Sequence, residues 1–221
     1  MVNKKVHELE ERSADNKAMI PYWDKTDAIV AGHKSMRDGE DLYLPKFPDE
    51  EKTDYNVRLG LTKFTNIYRD VIEGLASKPF ETEISLGDEV PDEIKDFTEN
   101  VDGAGNNLTI FASETFFNGL NSAIEWIFVD YPKTDGSKIK TMADQKAAKI
   151  KPYWSHVLGR NVLEVRSKIK NGEEAITYIR IFEPAVNGQE DRVRIFDRDE
   201  NDVVSWKLFE RREFEARACW L

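Results

Sequence analysis

An acid at the end of an apolar run is the first residue in this sequence that could do chemistry. Residues 126–129 are Trp, Ile, Phe and Val, and Asp130 follows them directly. In nucleotide hydrolases, a buried strand of this kind ends in an aspartate that binds magnesium. Those enzymes also need a glycine-rich loop that ends in Gly-Lys-Ser or Gly-Lys-Thr. The nearest stretch here, Asp135-Gly136-Ser137-Lys138, lacks the spacing and a preceding strand. We therefore interpret Asp130 as the end of a buried strand.

A second acidic pattern lies near the carboxyl end of the chain. Asp197, Asp199 and Asn201 match the first three ligand positions of a calcium-binding loop. That loop requires glycine at its sixth position and glutamate at its twelfth, but Asp202 and Leu208 stand there. The pattern therefore predicts an acidic hairpin turn rather than a calcium site.

Histidine and cysteine give little support to catalysis or metal binding. His7, His33 and His156 are far apart, and none has another histidine or a cysteine at ligand spacing. Cys219 is the only cysteine, which excludes an internal disulfide and fits a reducing compartment. We interpret His33 as a satisfied, half-buried histidine and Cys219 as a small apolar residue. No catalytic residue, metal ligand or cofactor is predicted.

Lysines concentrate shortly before Tyr153 and Trp154. They are Lys133, Lys138, Lys140, Lys146, Lys149 and Lys151. Basic side chains beside aromatic rings are typical of surfaces that bind single-stranded nucleic acid, although a solvated loop is the commoner explanation. The whole chain has a formal net charge of -10, which is the wrong sign for a protein that binds nucleic acid over its entire surface.

Length and composition are those of a globular protein. The chain has 221 residues, of which 40% are hydrophobic and 33% charged, enough for one sizeable core or two small ones. Its longest apolar run, 124–129, is far shorter than the roughly 20 residues that a membrane-spanning helix needs. The amino terminus lacks the apolar stretch of a secretory signal, so we expect the chain to stay where it is made.

Helices are expected in the first two thirds of the chain. Apolar periodicity predicts two helices before Gly39, separated at Pro21, with Asp24 capping the second. The pattern also predicts an extended segment that crosses the surface at 42–48, one long helix from Asp49 to Pro79, a short strand at 80–84 and a small helix at 92–100. These are followed by a helix from Leu108 to about Asn121 capped by Asn107, a strand at 124–130 mostly buried on both faces, and a short helix at 142–149.

Alternating apolar and polar residues dominate the last third. The runs 162–168, 175–183, 192–198 and 203–214 have period two and are separated by turn residues, which predicts an antiparallel meander. We therefore expect an α+β protein in which the helices of the first two thirds pack on this meander.

Five stretches occur in an order that is typical of one family. They are Arg37–Pro45, which contains Tyr43, Leu44 and Pro45; Val101–Leu108, which contains Asp102, Gly103 and Gly105; Ile127–Pro132, which contains Asp130, Tyr131 and Pro132; Lys151–Trp154; and Ile179–Glu183. Together they resemble the portal proteins, the head-to-tail connectors of tailed double-stranded DNA bacteriophages, in a branch long described as a domain of unknown function. The similarity covers roughly residues 20 to 200. One departure is Asn121-Ser122, where the family tends to have glycine.

The resemblance implies a fold and a set of partners. It implies a single wing-like domain over 1–221, helical over about 1–150 and β-rich over about 151–221, without the stem, clip and crown of a whole portal subunit. In the family, twelve copies form a ring at one capsid vertex, through which a terminase motor packages DNA and from which DNA is ejected. The family is not enzymatic. The implied partners are other copies of the chain, the capsid, the terminase and DNA, which passes through without sequence-specific binding; no membrane is involved. The implied location is the virion, after synthesis in the cytoplasm of the host bacterium.

Three hypotheses follow for the function. The leading one is a portal-type virion structural protein, of which this chain is the wing segment; because stem helices supply much of the ring contact in the family, we expect no stable dodecamer from this chain alone. The alternative is a phage or prophage assembly protein that reuses the wing fold without a channel. The third is a metal-dependent hydrolase that uses Asp102 and Asp130, which predicts tight magnesium or manganese binding and loss of activity in Asp130→Ala.

Overall fold

The structure is a computed structural model that describes residues 9–132, 141, 150–170, 172–186, 188, 190–214 and 217–220. The described helices are α1 (Ala14–Ala31), α2 (His33–Asp38), α3 (Lys52–Leu61), α4 (Ile67–Ser77), α5 (Asp92–Thr98) and α6 (Leu108–Ser122). The described strands are β1 (Glu125–Asp130), β2 (Tyr153–Leu158), β3 (Val162–Lys170), β4 (Glu173–Glu183), β5 (Arg192–Arg198), β6 (Val204–Phe214) and β7 (Arg217–Trp220). The predicted α+β class is confirmed. No helix within these ranges is long and apolar enough to cross a bilayer.

The chain divides into two compact units. Unit 1 comprises Met1–Pro21 and Leu158–Leu221, and unit 2 comprises Tyr22–Val157. The first 21 residues therefore group with the five-stranded sheet. The expectation of a single domain stays a prediction.

Unit 1 is built on the antiparallel meander that the alternating runs predict. Its strands follow the order β3-β4-β5-β6-β7, so each strand pairs with the next one along the chain. The core beneath them includes Leu163 and Val193, which are almost fully buried. The start of α1 is attached to β3, because the backbone N–H of Ser13 donates to the carbonyl of Leu163 at 2.8 Å and the side chain of Asn16 donates to that of Val162 at 2.8 Å.

Unit 2 contains the end of α1, helices α2 to α6 and the two-stranded sheet of β1 and β2. Its buried apolar side chains are Trp23, Ala28, Tyr55, Ile72, Ala76, Val101 and Phe111. Asn107 caps α6 as predicted, since its side chain accepts a hydrogen bond from the backbone N–H of Ile110 at 2.9 Å. Ala123, with φ 68°, ends that helix in the left-handed conformation.

The predicted break at Pro21 is wrong. Helix α1 runs through Pro21, and the chain leaves the helix only after Ala31, where Gly32 has φ 88°. Asp24 consequently lies inside α1 and is not its cap. Tertiary hydrogen bonds hold both halves of the helix, because Trp23 donates through Nε1 to the carbonyl of Ser122 at 2.8 Å and Asn16 is bound to β3. These contacts compensate for the backbone hydrogen bond that proline cannot donate.

The long helix predicted from Asp49 to Pro79 is wrong as well, because it is two helices, α3 and α4, separated by residues 62–66. Asn66 starts α4 by accepting a hydrogen bond from the backbone N–H of Arg69 at 3.0 Å. In the same connection, the backbone N–H of Phe64 donates to Nδ1 of His33 at 3.3 Å. The interpretation of His33 as a satisfied, half-buried histidine is confirmed.

Two predictions about strands are also corrected. Residues 80–84 form no strand; Lys78–Phe80 is a short 3-10 turn, and the backbone N–H of Ile84 donates to the hydroxyl of Thr109. Strand β1 exists as predicted but is not buried on both faces, since Ile127 and Val129 are 48% and 57% exposed. The reason is that β1 pairs in a sheet of only two strands, which leaves one face uncovered. The predicted helix at 142–149 lies outside the described residues.

Candidate functional site

Three of the stretches singled out in the sequence, 101–108, 127–132 and 151–154, meet at the start of β2. The backbone N–H of Trp154 donates to the carbonyl of Val101 at 2.7 Å, and Nζ of Lys151 donates to the carbonyl of Asn100 at 2.9 Å. The hydroxyl of Tyr153 donates to Oδ2 of Asp130 at 3.1 Å. Residues that are far apart in sequence thus form one group of contacts. We call it the Tyr153 cluster and define it as residues 100–106, Asp130, Lys151, Tyr153 and Trp154.

The loop of this cluster is organised by Asp102. Its Oδ1 accepts hydrogen bonds from the backbone N–H groups of Ala104 at 2.8 Å and Asn106 at 3.2 Å, and its Oδ2 accepts one from the side chain of Asn106 at 2.7 Å. Gly103 and Gly105 have φ 76° and 111°, conformations in which a side chain would be strained. Asp102, Gly103 and Gly105 therefore shape the turn, as the sequence predicts.

Hydrogen bonding also sets the acidity of Asp102. Partial burial alone would raise the pKa of this carboxyl, but the hydrogen bonds from Ala104 and Asn106 outweigh burial and hold the pKa below its usual value. Because the folded state binds the proton less tightly than the unfolded chain, the charged form stabilises the fold above the unfolded-state pKa of about 3.9. That stabilisation is lost as the pH falls through the folded-state pKa.

We expect Asp102→Asn to lower the free energy of unfolding at neutral pH by about 1 to 2 kcal/mol, because the new amide group would face the amide group of Asn106. The difference from wild type should shrink as the pH falls below about 4. Urea denaturation at a series of pH values measures both effects. The control is Asp96→Asn on the exposed surface of α5, which should change stability by less than about 0.5 kcal/mol. A pH-independent difference between Asp102→Asn and wild type would contradict this account.

Trp154 fixes the other side of the cluster. Its ring lies edge-on to Phe97 and Phe111, with centroid distances of 5.5 and 5.8 Å, and Nζ of Lys151 lies 5.9 Å from the centroid of Phe97. Both Lys151 and Trp154 are thus engaged inside unit 2, which removes them from the stacking surface that the basic segment suggested. The lysines at 133, 138, 140, 146 and 149 lie outside the described residues.

Asp130, Tyr131 and Pro132 close strand β1. Oδ1 of Asp130 accepts a hydrogen bond from the backbone N–H of Tyr131 at 2.8 Å, while Oδ2 faces the hydroxyl of Tyr153. Both oxygens therefore have protein donors, which suits a structural role for this carboxylate. Among the residues that the structure describes, no three His, Cys, Asp or Glu side chains are grouped so that they could hold a metal ion.

The stretch with Tyr43, Leu44 and Pro45 is fixed by a different residue, Arg58 on α3. The guanidinium of Arg58 forms two hydrogen bonds of 2.7 Å with the carboxylate of Glu50 and a third, of 3.0 Å, with the carbonyl of Pro45. It also lies 4.4 Å from the centroid of the Phe47 ring. The hydrogen bonds from Arg58 lower the pKa of Glu50. Sequence reasoning missed this clamp, because Glu50 and Arg58 are eight residues apart and match no helical or strand spacing.

Tyr43 and Leu44 have contacts of their own. The hydroxyl of Tyr43 lies 3.4 Å from the carbonyl of Asp24, and the backbone N–H of Leu44 donates to the carbonyl of Glu40 at 2.8 Å. The expected extended crossing is thus preceded by a 3-10 turn at Glu40–Leu42. In the part of the chain that is described, residues 43–45 form hydrogen bonds with Asp24, Glu40 and Arg58 and not with the Tyr153 cluster.

Replacing Arg58 with lysine should loosen this crossing. We expect Arg58→Lys to lower the free energy of unfolding, because an ammonium group cannot form the paired bonds to Glu50 and also reach Pro45. Thermal denaturation measures the change. Arg69→Lys is the matched control, since the side chain of Arg69 is 49% exposed, forms a surface ion pair with Glu73 and makes only a long hydrogen bond, of 3.3 Å, to the carbonyl of Val30. Equal losses for the two variants would contradict the role given to Arg58.

A buried carboxylate that the sequence did not reveal lies at Glu125. Its side chain is 4% exposed, and its Oε2 lies 2.7 Å from Nε2 of His156 on β2. The hydroxyl of Ser122 donates to the other carboxylate oxygen at 2.6 Å. Serine and histidine thus bind opposite oxygens of one carboxylate, whereas an activated nucleophile needs serine bound to histidine. The group joins α6, β1 and β2, and we interpret it as structural.

The acidic pattern at 197–202 forms a turn between β5 and β6. Oδ1 of Asp199 accepts hydrogen bonds from the backbone N–H groups of Asn201 at 2.8 Å and Val203 at 3.0 Å. Asp202 is bound to Lys170. The prediction of an acidic hairpin turn is confirmed. Cys219 lies in β7, and its side chain is outside the described part.

No protein-family model matches this chain, and no curated protein matches it. The function therefore has to be inferred from the residues and their contacts.

Proposed function

We propose that this chain is the wing segment of a portal-type structural protein, a non-enzymatic component of the ring at a capsid vertex through which phage DNA is packaged and ejected. The observation that supports this most is the Tyr153 cluster. Stretches at 101–108, 127–132 and 151–154, which resemble the portal family one by one, are in contact with each other through hydrogen bonds. Residues that fix one another's position in this way behave as parts of a single structural motif.

The roles of the individual positions also fit a structural protein. Asp102 and Asp130 accept hydrogen bonds from backbone and side-chain donors of the protein itself, and Arg58 binds the crossing after Tyr43. Each of these side chains holds backbone geometry. This is the behaviour expected of an assembly component, in which function depends on shape and on contacts between subunits.

The negative charge of unit 2 is consistent with a surface that DNA passes without being bound. Unit 2 has 16 Lys and Arg residues against 25 Asp and Glu residues, a net charge of -9, whereas unit 1 has 16 against 17, a net charge of -1. An acidic surface repels a polyanion and does not bind it during transit. In this proposal the partners are other copies of the chain, the capsid, the terminase motor and the passing DNA, and the location is the virion.

Light scattering on a size-exclusion column tests the proposal in solution. We expect this chain, with a mass of 25.5 kDa, to be a monomer at micromolar concentration, and the longest reading frame that contains it to have the mass of twelve subunits. If that longer product stays a monomer or small oligomer, the portal proposal fails and the non-channel assembly protein becomes the better explanation. A ring of twelve formed by this chain alone would contradict the expectation that the wing segment does not assemble by itself.

A further inference from the structure

We draw no further inference here: the strongest candidate, the exposed apolar stripe that Ile67, Val71 and Leu75 form along α4, carries none, because nothing in the described part of the chain shows what covers it.

Discussion

Trp154→Ala is expected to lower the free energy of unfolding by about 3 kcal/mol, as large aromatic-to-alanine changes in partly buried sites do. The substitution removes the edge-on contacts with Phe97 and Phe111 and leaves a cavity beside these two rings, of which Phe111 is buried. The backbone hydrogen bond from residue 154 to Val101 would remain but would lose the packing around it. Urea denaturation followed by circular dichroism measures the loss.

Trp206→Ala is the matched control for this prediction. Trp206 is 44% exposed on the sheet of unit 1, so its truncation should cost less than about 1 kcal/mol. The comparison separates loss of the Tyr153 cluster from the general effect of removing a tryptophan. Similar losses for the two variants would show that the cluster contributes no more to stability than an exposed surface residue.

Arg180→Met should be the second strongly destabilising change, at about 3 kcal/mol. Nη2 of Arg180 lies 2.9 Å from Oε2 of Glu164, with both side chains largely buried, and the same atom donates to the carbonyl of Glu11. Methionine fills much of the space but leaves the carboxylate of Glu164 without its buried partner. Loss of one member of a buried pair is costly because the remaining charge stays out of water. Thermal and urea denaturation measure the effect.

The same carboxylate provides the control. Arg166 binds Oε1 of Glu164 at 2.7 Å, but its side chain is 61% exposed. Arg166→Met should therefore cost no more than about 1 kcal/mol, including its contact with the ring of Tyr178. Adding Glu164→Gln to Arg180→Met should recover part of the loss, because it removes the charge that has lost its buried partner. If Arg166→Met and Arg180→Met are equally destabilised, the burial of Arg180 does not determine the strength of its ion pair with Glu164.

The meander could be predicted from the sequence because its signals are local. Period-two alternation placed β3, β4, β5 and β6, and the structure confirms the four strands and their order. Strand β2 was missed, since Tyr153–Leu158 shows no clear alternation and finds its partner, β1, only through a long connection. The caps also have local signals. Asn107 was identified before α6 because the side chain that caps a helix lies next to the residues that it caps.

Helix breaks were harder to place, because they depend on distant residues. Pro21 carries a strong local signal for a break, but hydrogen bonds from Asn16 and Trp23 to other elements hold α1 together across it. Residues 62–66 carry only a weak signal, yet the helix ends there, where Phe64 is bound to His33. In both cases tertiary contacts decided the outcome over local preference.

The candidate site was predictable as separate pieces and not as a whole. The turn at Asp102 and the strand end at Asp130 follow from local chemistry, and in the structure both carboxylates accept hydrogen bonds from nearby backbone N–H groups. The contacts of the Tyr153 cluster join residues 23 to 53 positions apart, and no spacing rule describes such a contact. The same is true of the carboxylate of Glu125 between Ser122 and His156.

Electron microscopy of the longest reading frame that contains this chain tests the central claim most directly. Purified product in negative stain should show rings with twelve-fold rotational symmetry around an open channel, and the density of the wing should account for the two units described for this chain. Compact particles without a channel, or chains that stay separate at the same concentration, would contradict the portal proposal.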